Sequence, residues 1–355
     1  MLKGWISSHR RNSIWAGLRV RLVLGSLLAC VMLGPRAASA DPGGAGNTHI
    51  RALTFGILPM GGPSESLEAW RPMLDDLSRT LRLPVRSLSV STYEGLAQAM
   101  SDERVDFAFV SGRLALEAVT RDRMQVIAQL TRSHGPRGYF AVMLVEKDSP
   151  LHSLDDMFRQ RGRLRYARGE VLSVSGYLVP ETEVFANRRL DSDTFFASVS
   201  VDNHQNNALA VANKEVDVAT NSTSDLERFA KRFPDQYDRL RVLWTSSLIP
   251  NSVIVIRTDL PSELRHRVAA AFTSYGKGKN ATAELAKLQL ISDFSGFSPA
   301  GNETLVPFAD IEFNLDKRRV YSAQWVSDAA MQARVRKIDA EHEALIHQLM
   351  QPPSP

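Results

Sequence analysis

The alternation of short β-rich runs with amphipathic helical stretches is the feature that most limits the folds open to this 355-residue chain. From Arg51 onward the segments are, in order, a β-rich run at 53–58, a helical stretch at 67–77, a β-rich run at 85–90, a helix from Gly95 and a β-rich run at 107–110. Such a βαβ order is typical of a mostly parallel sheet with helices on both faces. It predicts an α/β fold.

The same alternation resumes after Tyr139, which predicts a second lobe. Its segments are, in order, a strand through Val142 and Leu144, a helix from Gly176, a strand at 195–201, a helix from Asn207 and a strand at 216–220. Two further β-rich segments flank Leu248-Ile249-Pro250, which suits a return of the chain to the first lobe. Open α/β sheets bind ligands at the carboxyl ends of their strands, so two facing lobes predict a cleft between them.

We expect four parts along the chain. Residues 1–40 form a signal peptide, residues 48–145 together with 248–310 form lobe 1, residues 146–247 form lobe 2, and residues 311–355 form a C-terminal helical extension packed on lobe 1.

The N-terminal segment has the pattern of an export signal. Six Lys or Arg and no Asp or Glu lie within the first 40 residues, which also contain the apolar stretch 22–33. Ala38-Ser39-Ala40 is a small-residue cleavage site, so the mature chain is expected to start at Asp41 in the periplasm. An alternative is a lipoprotein, because Leu27-Leu28-Ala29-Cys30 resembles a lipobox that would leave Cys30 acylated.

The charge and the cysteine content exclude several function classes. The formal net charge is +4, and removing the six positive charges of the first 40 residues leaves −2, so the mature chain has no basic surface for nucleic acid. Cys30 is the only cysteine, so the exported protein has neither disulfide nor thiol chemistry. Without a Cys/His ligand cluster, we expect no metal and no other cofactor.

The turn Ser173-Val174-Ser175-Gly176-Tyr177 precedes an apolar helical run and has the composition of an anion site. The first N–H groups of a helix lack internal partners, the helix dipole adds positive character there, and serine hydroxyls donate further hydrogen bonds. The alternative is an ordinary serine N-cap.

Three other polar loops also come directly before helical runs. They are Thr92 to Gly95, His204 to Asn207, and Asn221 to Thr223. Each has a structural alternative: Tyr93 as a half-buried aromatic, His204 as a surface histidine, and Thr223 as a helix cap. Together they supply neutral donors and one imidazole, which suits a tetrahedral oxyanion.

Several runs resemble the substrate-binding proteins of phosphonate and phosphite ABC importers. These runs are 92–100, 135–150, 171–180, 206–220 and 240–256, and the similarity extends in order from about residue 54 to residue 305. The resemblance implies a type II periplasmic binding protein fold, with two lobes that are joined by two β crossings and close over a ligand.

The resemblance also implies the ligand-binding residues. In such proteins a Ser-Thr-Ser turn, a histidine and tyrosines of the facing lobe hold the phosphonate oxygens. These roles fall on Ser173, Val174, Ser175, His204, Tyr93 and Tyr139, with both tyrosines expected to face the other four. Val174 replaces the middle threonine, so one side-chain donor is lost while its backbone N–H remains.

A second departure concerns positively charged ligands. In family members that bind aminoalkylphosphonates, two carboxylates hold the ammonium group, and they align here with Ser224 and Ser252. Burying an unpaired ammonium is costly, so we expect discrimination against aminoalkylphosphonates in favour of phosphite, phosphate or a short alkylphosphonate.

The sequence therefore predicts a non-enzymatic periplasmic solute-binding protein that delivers an oxyanion to an inner-membrane ABC permease. The alternative is a ligand-sensing protein that presents the oxyanion to a membrane receptor kinase. Enzyme motifs are poor: Ser173 to Gly176, for example, lacks the first glycine of a nucleophile elbow.

Overall fold

The computed structural model describes residues 52–133 and 138–351. The expected signal peptide, its cleavage site before Asp41, and Cys30 with its possible acylation therefore lie outside the described residues. Within the described residues, no helix combines the length and apolar character needed to cross a membrane.

The strands of the described residues form two sheets. The strands are β1 (Leu53–Ile57), β2 (Val85–Ser89), β3 (Phe107–Val110), β4 (Met124–Arg132), β5 (Gly138–Glu146), β6 (Arg165–Arg168), β7 (Ser198–Val201), β8 (Val218–Ser222), β9 (Leu240–Pro250), β10 (Val253–Arg257) and β11 (Phe294–Pro299). The first sheet has the order β11-β4-β10-β3-β1-β2, and the second has the order β7-β6-β8-β5-β9.

Helices flank both sheets, as expected for an α/β fold. The α-helices are α1 (Pro63–Leu81), α2 (Tyr93–Ser101), α3 (Gly112–Arg121), α4 (Leu154–Phe158), α5 (Ser192–Phe195), α6 (His204–Ala212), α7 (Thr223–Arg232), α8 (Pro234–Tyr237), α9 (Ser262–Ser274), α10 (Ala281–Ile291), α11 (Val306–Ser322) and α12 (Asp328–Met350). The described residues also contain two π-helical turns, Val174–Leu178 and Glu181–Phe185, and two 3-10 turns, Ala186–Arg188 and Asn302–Leu305.

The sheets are mixed, whereas the sequence predicted mostly parallel ones. In the first sheet β1 pairs in parallel with β2 and β3, but β10 runs antiparallel to β3 and β4. In the second, β6 pairs in parallel with β7 and β8, and β5 runs antiparallel to β8 and β9. The antiparallel strands include β5 and β10. Each follows directly on a strand of the other sheet, without a helix between them, whereas parallel pairing requires a helical crossover.

The strand pairing also shifts the crossing points. The predicted range of lobe 1 runs to residue 145, but β5 pairs only within the second sheet, so the chain crosses between Arg132 and Gly138. It returns between Pro250, the end of β9, and Val253, the start of β10. The chain thus crosses twice between β-strands.

Each sheet packs on its own aromatic core. In the first, Phe55 lies 5.0 Å from both Trp70 and Phe107 between ring centroids. In the second, Tyr166 stacks on Phe196 at 4.2 Å. Full burial of such a side chain contributes about 1.5–3 kcal/mol, so each sheet is a rigid support for the loops at its edge.

The C-terminal helices contact more than the first lobe. Leu349 of α12 is buried in the core of the first sheet. Helix α11, however, touches elements of both sheets: Phe308 packs against Gly112, and Arg319 donates a hydrogen bond of 2.7 Å to the Tyr177 hydroxyl.

Candidate ligand-binding site

A small cavity of about 40 Å³ lies where the two sheets face each other. All eight residues singled out from the sequence line it: Tyr93, Tyr139, Ser173, Val174, Ser175, His204, Ser224 and Ser252. A single water molecule needs about 10–15 Å³ of such volume, so the cavity suits a guest of a few heavy atoms.

Three α-helices begin at this cavity, as their polar loops predicted. Helix α2 begins at Tyr93, α6 begins at His204, and α7 begins at Thr223. Each is capped by the residue before it, which is Thr92, Asn203 or Ser222, respectively. Three helix N-termini thus contribute partial positive charge to one cavity.

The Ser173 turn is fixed by its own hydroxyl and by close backbone packing. Ser173 Oγ accepts a hydrogen bond of 3.0 Å from the Gly176 N–H, so the serine is an N-cap, while its hydroxyl hydrogen remains available as a donor. A Cβ at Gly176 would lie 2.8 Å from the Cα of Gly169, so only glycine fits. The side chain of Val174 is buried in the apolar core of the first sheet, which docks the turn across the cleft.

His204 is a buried histidine, not the surface residue of the alternative interpretation. Its Nε2 lies 3.1 Å from Ser175 Oγ and 3.9 Å from Asp225 Oδ2. Burial lowers the pKa of His204 below its usual value, although the Asp225 carboxylate opposes that shift. The ring is therefore neutral at pH 7.

Both tyrosines lie in the cavity wall as protonated phenols. Burial, helped by the negative charge of Asp225, raises the pKa of Tyr93 and of Tyr139 far above the ordinary value of 10.0. A contact with Ser173 offsets part of the shift for Tyr93, and a contact with Ser175 does so for Tyr139. Each phenol can therefore donate a hydrogen bond to an anion.

The position of Tyr139 differs from the expected one. It belongs to β5 and pairs with Ile249 of β9, so it lies in the second sheet, close to the crossing, and not beside Tyr93. The two tyrosines still line one cavity because the start of β5 packs against the first core.

Sequence reasoning missed two charged residues of the wall, Asp225 and Arg132. Asp225 lies one residue beyond Ser224, accepts a hydrogen bond of 2.7 Å from the Ser222 hydroxyl and pairs with Arg228 at 2.9 Å. Its place in the capping sequence Ser222-x-x-Asp225 is the signal that could have found it. The cavity therefore does contain a negative charge, but an arginine already neutralises it.

Contacts between the two halves hold the cavity shut. The Tyr93 N–H donates to both carboxylate oxygens of Glu170 at 3.0 Å, so an acid from the second lobe caps α2 of the first. Arg228 of α7 donates to the Met60 carbonyl on the other side. Hydrogen bonds therefore bridge the two lobes at the cavity.

Two of the predicted residues in the cavity wall, Ser224 and Ser252, carry no charge. The Ser224 hydroxyl is buried and has no hydrogen-bond partner among the described residues. Buried polar groups are normally paired, so this hydroxyl is free to bind a guest. No group of three or more His, Cys, Asp or Glu side chains in the described part of the chain is arranged to hold a metal ion.

Comparison with known proteins decides the family. A family model described as ABC transporter, phosphonate, periplasmic substrate-binding protein matches residues 55–305. The chain belongs to this family. It is 33% identical over 295 residues to the phosphonates-binding periplasmic protein of Escherichia coli K12, covering 83% of this chain and 86% of that protein.

Solved structures of binding proteins agree with this assignment. A binding protein component of an ABC phosphonate transporter from Pseudomonas aeruginosa matches with a TM-score of 0.79 and 31% identity, covering 84% of this chain and 97% of that one. A Prochlorococcus marinus protein solved in complex with methylphosphonate shares the fold, with a TM-score of 0.65, 17% identity, and coverage of 75% and 98%. The predicted type II periplasmic binding protein fold is confirmed, and the family consists of transporter binding subunits, not enzymes.

Proposed function

We propose that this protein captures a phosphonate, phosphite or phosphate oxyanion in the cavity between its lobes and delivers it to an inner-membrane ABC permease. The observation that carries the proposal is the convergence of Tyr93, Tyr139, the Ser173 to Ser175 turn and His204 on one closed cavity, although they are up to 111 positions apart in the sequence. All of these groups donate hydrogen bonds or can take up a proton, as an oxyanion requires.

Binding stabilises the closed form because the guest contacts both lobes at once. Tyr93 belongs to the first lobe, whereas Ser175 and His204 belong to the second, and an open cleft would separate them. A ligand shifts the population only by its differential contacts with the two forms. We propose that the permease recognises the closed form.

The walls favour a ligand without an ammonium group. Ser224 and Ser252 are neutral, and Asp225, the carboxylate of the wall, is engaged by Arg228 at 2.9 Å. An ammonium would therefore be buried without a free counter-ion, which is costly. We propose that phosphite, phosphate and methylphosphonate bind more tightly than 2-aminoethylphosphonate.

Calorimetric titration of the purified protein with these four anions and with sulfate tests the ligand class. The Ser175→Ala variant is the site probe, and Ser274→Ala, on the exposed side of α9, is the matched control. We expect binding of at least one phosphorus oxyanion that Ser175→Ala weakens and Ser274→Ala leaves unchanged. Tightest binding of sulfate, or of 2-aminoethylphosphonate, would contradict the proposed ligand class.

Export and delivery have tests of their own. We propose that residues 1–40 are removed in the periplasm, so the intact mass of the exported protein should correspond to a chain that starts at Asp41. A larger mass with a lipid on Cys30 would contradict this cleavage. Loss of phosphonate uptake in cells that lack the protein supports the importer, whereas unchanged uptake together with a lost kinase response would support the sensor.

A further inference from the structure

Arg132, the last residue of β4, is a cation in the wall of the ligand cavity. Its Nε donates a hydrogen bond of 3.3 Å to Asn251 Oδ1, and its guanidinium carbon lies 5.9 Å from the centroid of the Phe294 ring. Asn251 is itself buried and donates to the Leu130 carbonyl at 3.1 Å. Asn251 and Phe294, which also line the cavity, therefore contact the Arg132 side chain and fix its position.

Among the described residues, no carboxylate pairs with the charge of Arg132. No Asp or Glu oxygen of the described residues lies within 4.0 Å of its guanidinium, and its two terminal nitrogens have no hydrogen-bond partner there. The acid of the wall, Asp225, pairs instead with Arg228. One positive charge is thus left over at the cavity.

The guanidinium lies near the donors that surround the proposed oxyanion. Its positive charge acts against the upward pKa shift of the buried Tyr139 phenol, which is caused first by burial and then by Asp225. Tyr139 in turn contacts Ser175. Arg132 belongs to the first sheet, however, whereas the Ser173 turn and His204 belong to the second, so it reaches the guest from another side.

We propose that Arg132 selects ligands by the charge of the group attached to phosphorus, so that the preferred substrates include phosphonates with a carboxylate substituent. This inference rests on the proposed function. A guanidinium binds a carboxylate through paired hydrogen bonds, and in a closed site the two charges attract strongly. The same charge repels an ammonium substituent, so Arg132 supplies the repulsive element that specificity requires.

The test compares three probes of similar size that differ in charge: phosphonoacetate, propylphosphonate and 2-aminoethylphosphonate. Calorimetric titrations use the wild type and the variants Arg132→Gln, which removes the charge, and Arg132→Lys, which keeps it. Methylphosphonate serves as the reference ligand, and Arg121→Gln, on the exposed surface of α3, is the matched control.

We expect the wild type to bind phosphonoacetate at least about tenfold more tightly than 2-aminoethylphosphonate, a difference of about 1.4 kcal/mol. Arg132→Gln should reduce this ratio to within about threefold, while Arg132→Lys and Arg121→Gln keep the order of the probes. Thermal unfolding checks that each variant is folded, and if Arg132→Gln does not fold, Arg132→Met provides the neutral side chain.

Two outcomes separate this inference from the proposed function. If the wild type binds no phosphorus oxyanion, the proposed function fails. If methylphosphonate binds but the ratio between phosphonoacetate and 2-aminoethylphosphonate is the same in the wild type and the neutral variants, selection by Arg132 is overturned while the proposed function stands. Equal exclusion of all three larger probes also overturns it, because size would then decide.

Discussion

Replacing Tyr93 by phenylalanine isolates one donor of the proposed oxyanion site. Tyr93 is only 7% exposed and begins α2 at the cavity wall. Burial and the nearby Asp225 carboxylate raise the pKa of its phenol, so the hydroxyl is protonated over the whole physiological range and acts as a donor. Phenylalanine keeps the ring and its packing and removes only this hydroxyl.

The size of the effect follows from the charge of the acceptor. A hydrogen bond to a charged group contributes about 1.5–3 kcal/mol, which corresponds to about 10- to 150-fold in Kd. In the fold the hydroxyl contacts the neutral Ser173 hydroxyl, and a hydrogen bond between neutral groups contributes about 1 kcal/mol, so the free energy of unfolding should fall by about that much or less. Tyr93→Phe should therefore weaken binding strongly and the fold hardly at all.

Calorimetric titration with methylphosphonate and urea unfolding without ligand measure the two quantities. Tyr237→Phe, on the exposed helix α8, is the matched control and should change neither. A Kd of Tyr93→Phe within twofold of the wild type would refute the reasoning, because the phenol would then not donate to the ligand. A large loss of stability would refute the claim that only a donor is removed.

Three further predictions concern pH, closure and the shape of the turn. Folding lowers the pKa of His204 below 6.5, so as the pH falls below 6.5 the unfolded chain binds a proton that the folded chain does not. Urea unfolding should therefore show a loss of stability from pH 7 to pH 5 that is smaller in His204→Gln. Equal losses in the wild type and the variant would contradict this prediction. Glu170→Ala removes the carboxylate at the N-terminus of α2, a contact that contributes about 0.3–1 kcal/mol, so the Kd should rise about two- to fivefold. X-ray scattering of the protein without ligand should show a larger radius of gyration in the variant. An unchanged radius would count against the role of this contact in closing the cleft. Gly176→Ala would place a Cβ 2.8 Å from Gly169 Cα, so thermal unfolding should show a loss of about 1–3 kcal/mol together with lost binding. Gly278→Ala, in the exposed loop between α9 and α10, is the control and should lose neither, because no atom lies within 4 Å of a Cβ placed there.

The sequence was a good guide to the lining of the cavity because several of these residues lie at helix starts. Polar residues followed by apolar helical runs mark N-termini by local rules, so Tyr93, His204 and Ser173 could be found without knowledge of the fold. All of them line one cavity. The resemblance to binding proteins added Tyr139, which no local rule singles out.

The sequence was a poor guide to those residues whose position depends on strand pairing. β4 was not anticipated: its sequence mixes polar residues with apolar ones, although its first five residues are buried. Arg132 at its end was therefore missed. The register of β5 was also not readable locally, so Tyr139 was assigned to the wrong side of the cleft. Which strands pair is decided by long-range packing, which local periodicity does not report.

Charge balance in the cavity was the other quantity that only the structure gives. Ser224 and Ser252 suggested a cavity without negative charge, but the neighbouring Asp225 points into the same space. Its partner Arg228 lies one turn along α7, at i+3, where helix geometry brings the two side chains together. At the start of α7, one position along the chain thus separates a neutral serine, Ser224, from a carboxylate, Asp225, in the cavity wall.

A crystal structure of the protein with methylphosphonate tests the central claim most directly. We predict one phosphonate group in the cavity, with its oxygens about 2.6–3.2 Å from Ser175 Oγ, His204 Nε2 and the Tyr93 hydroxyl, and with both lobes in contact with it. Methylphosphonate bound elsewhere, for instance in the larger groove of about 460 Å³ beside Trp70 and Lys231, with the small cavity empty, would contradict the account.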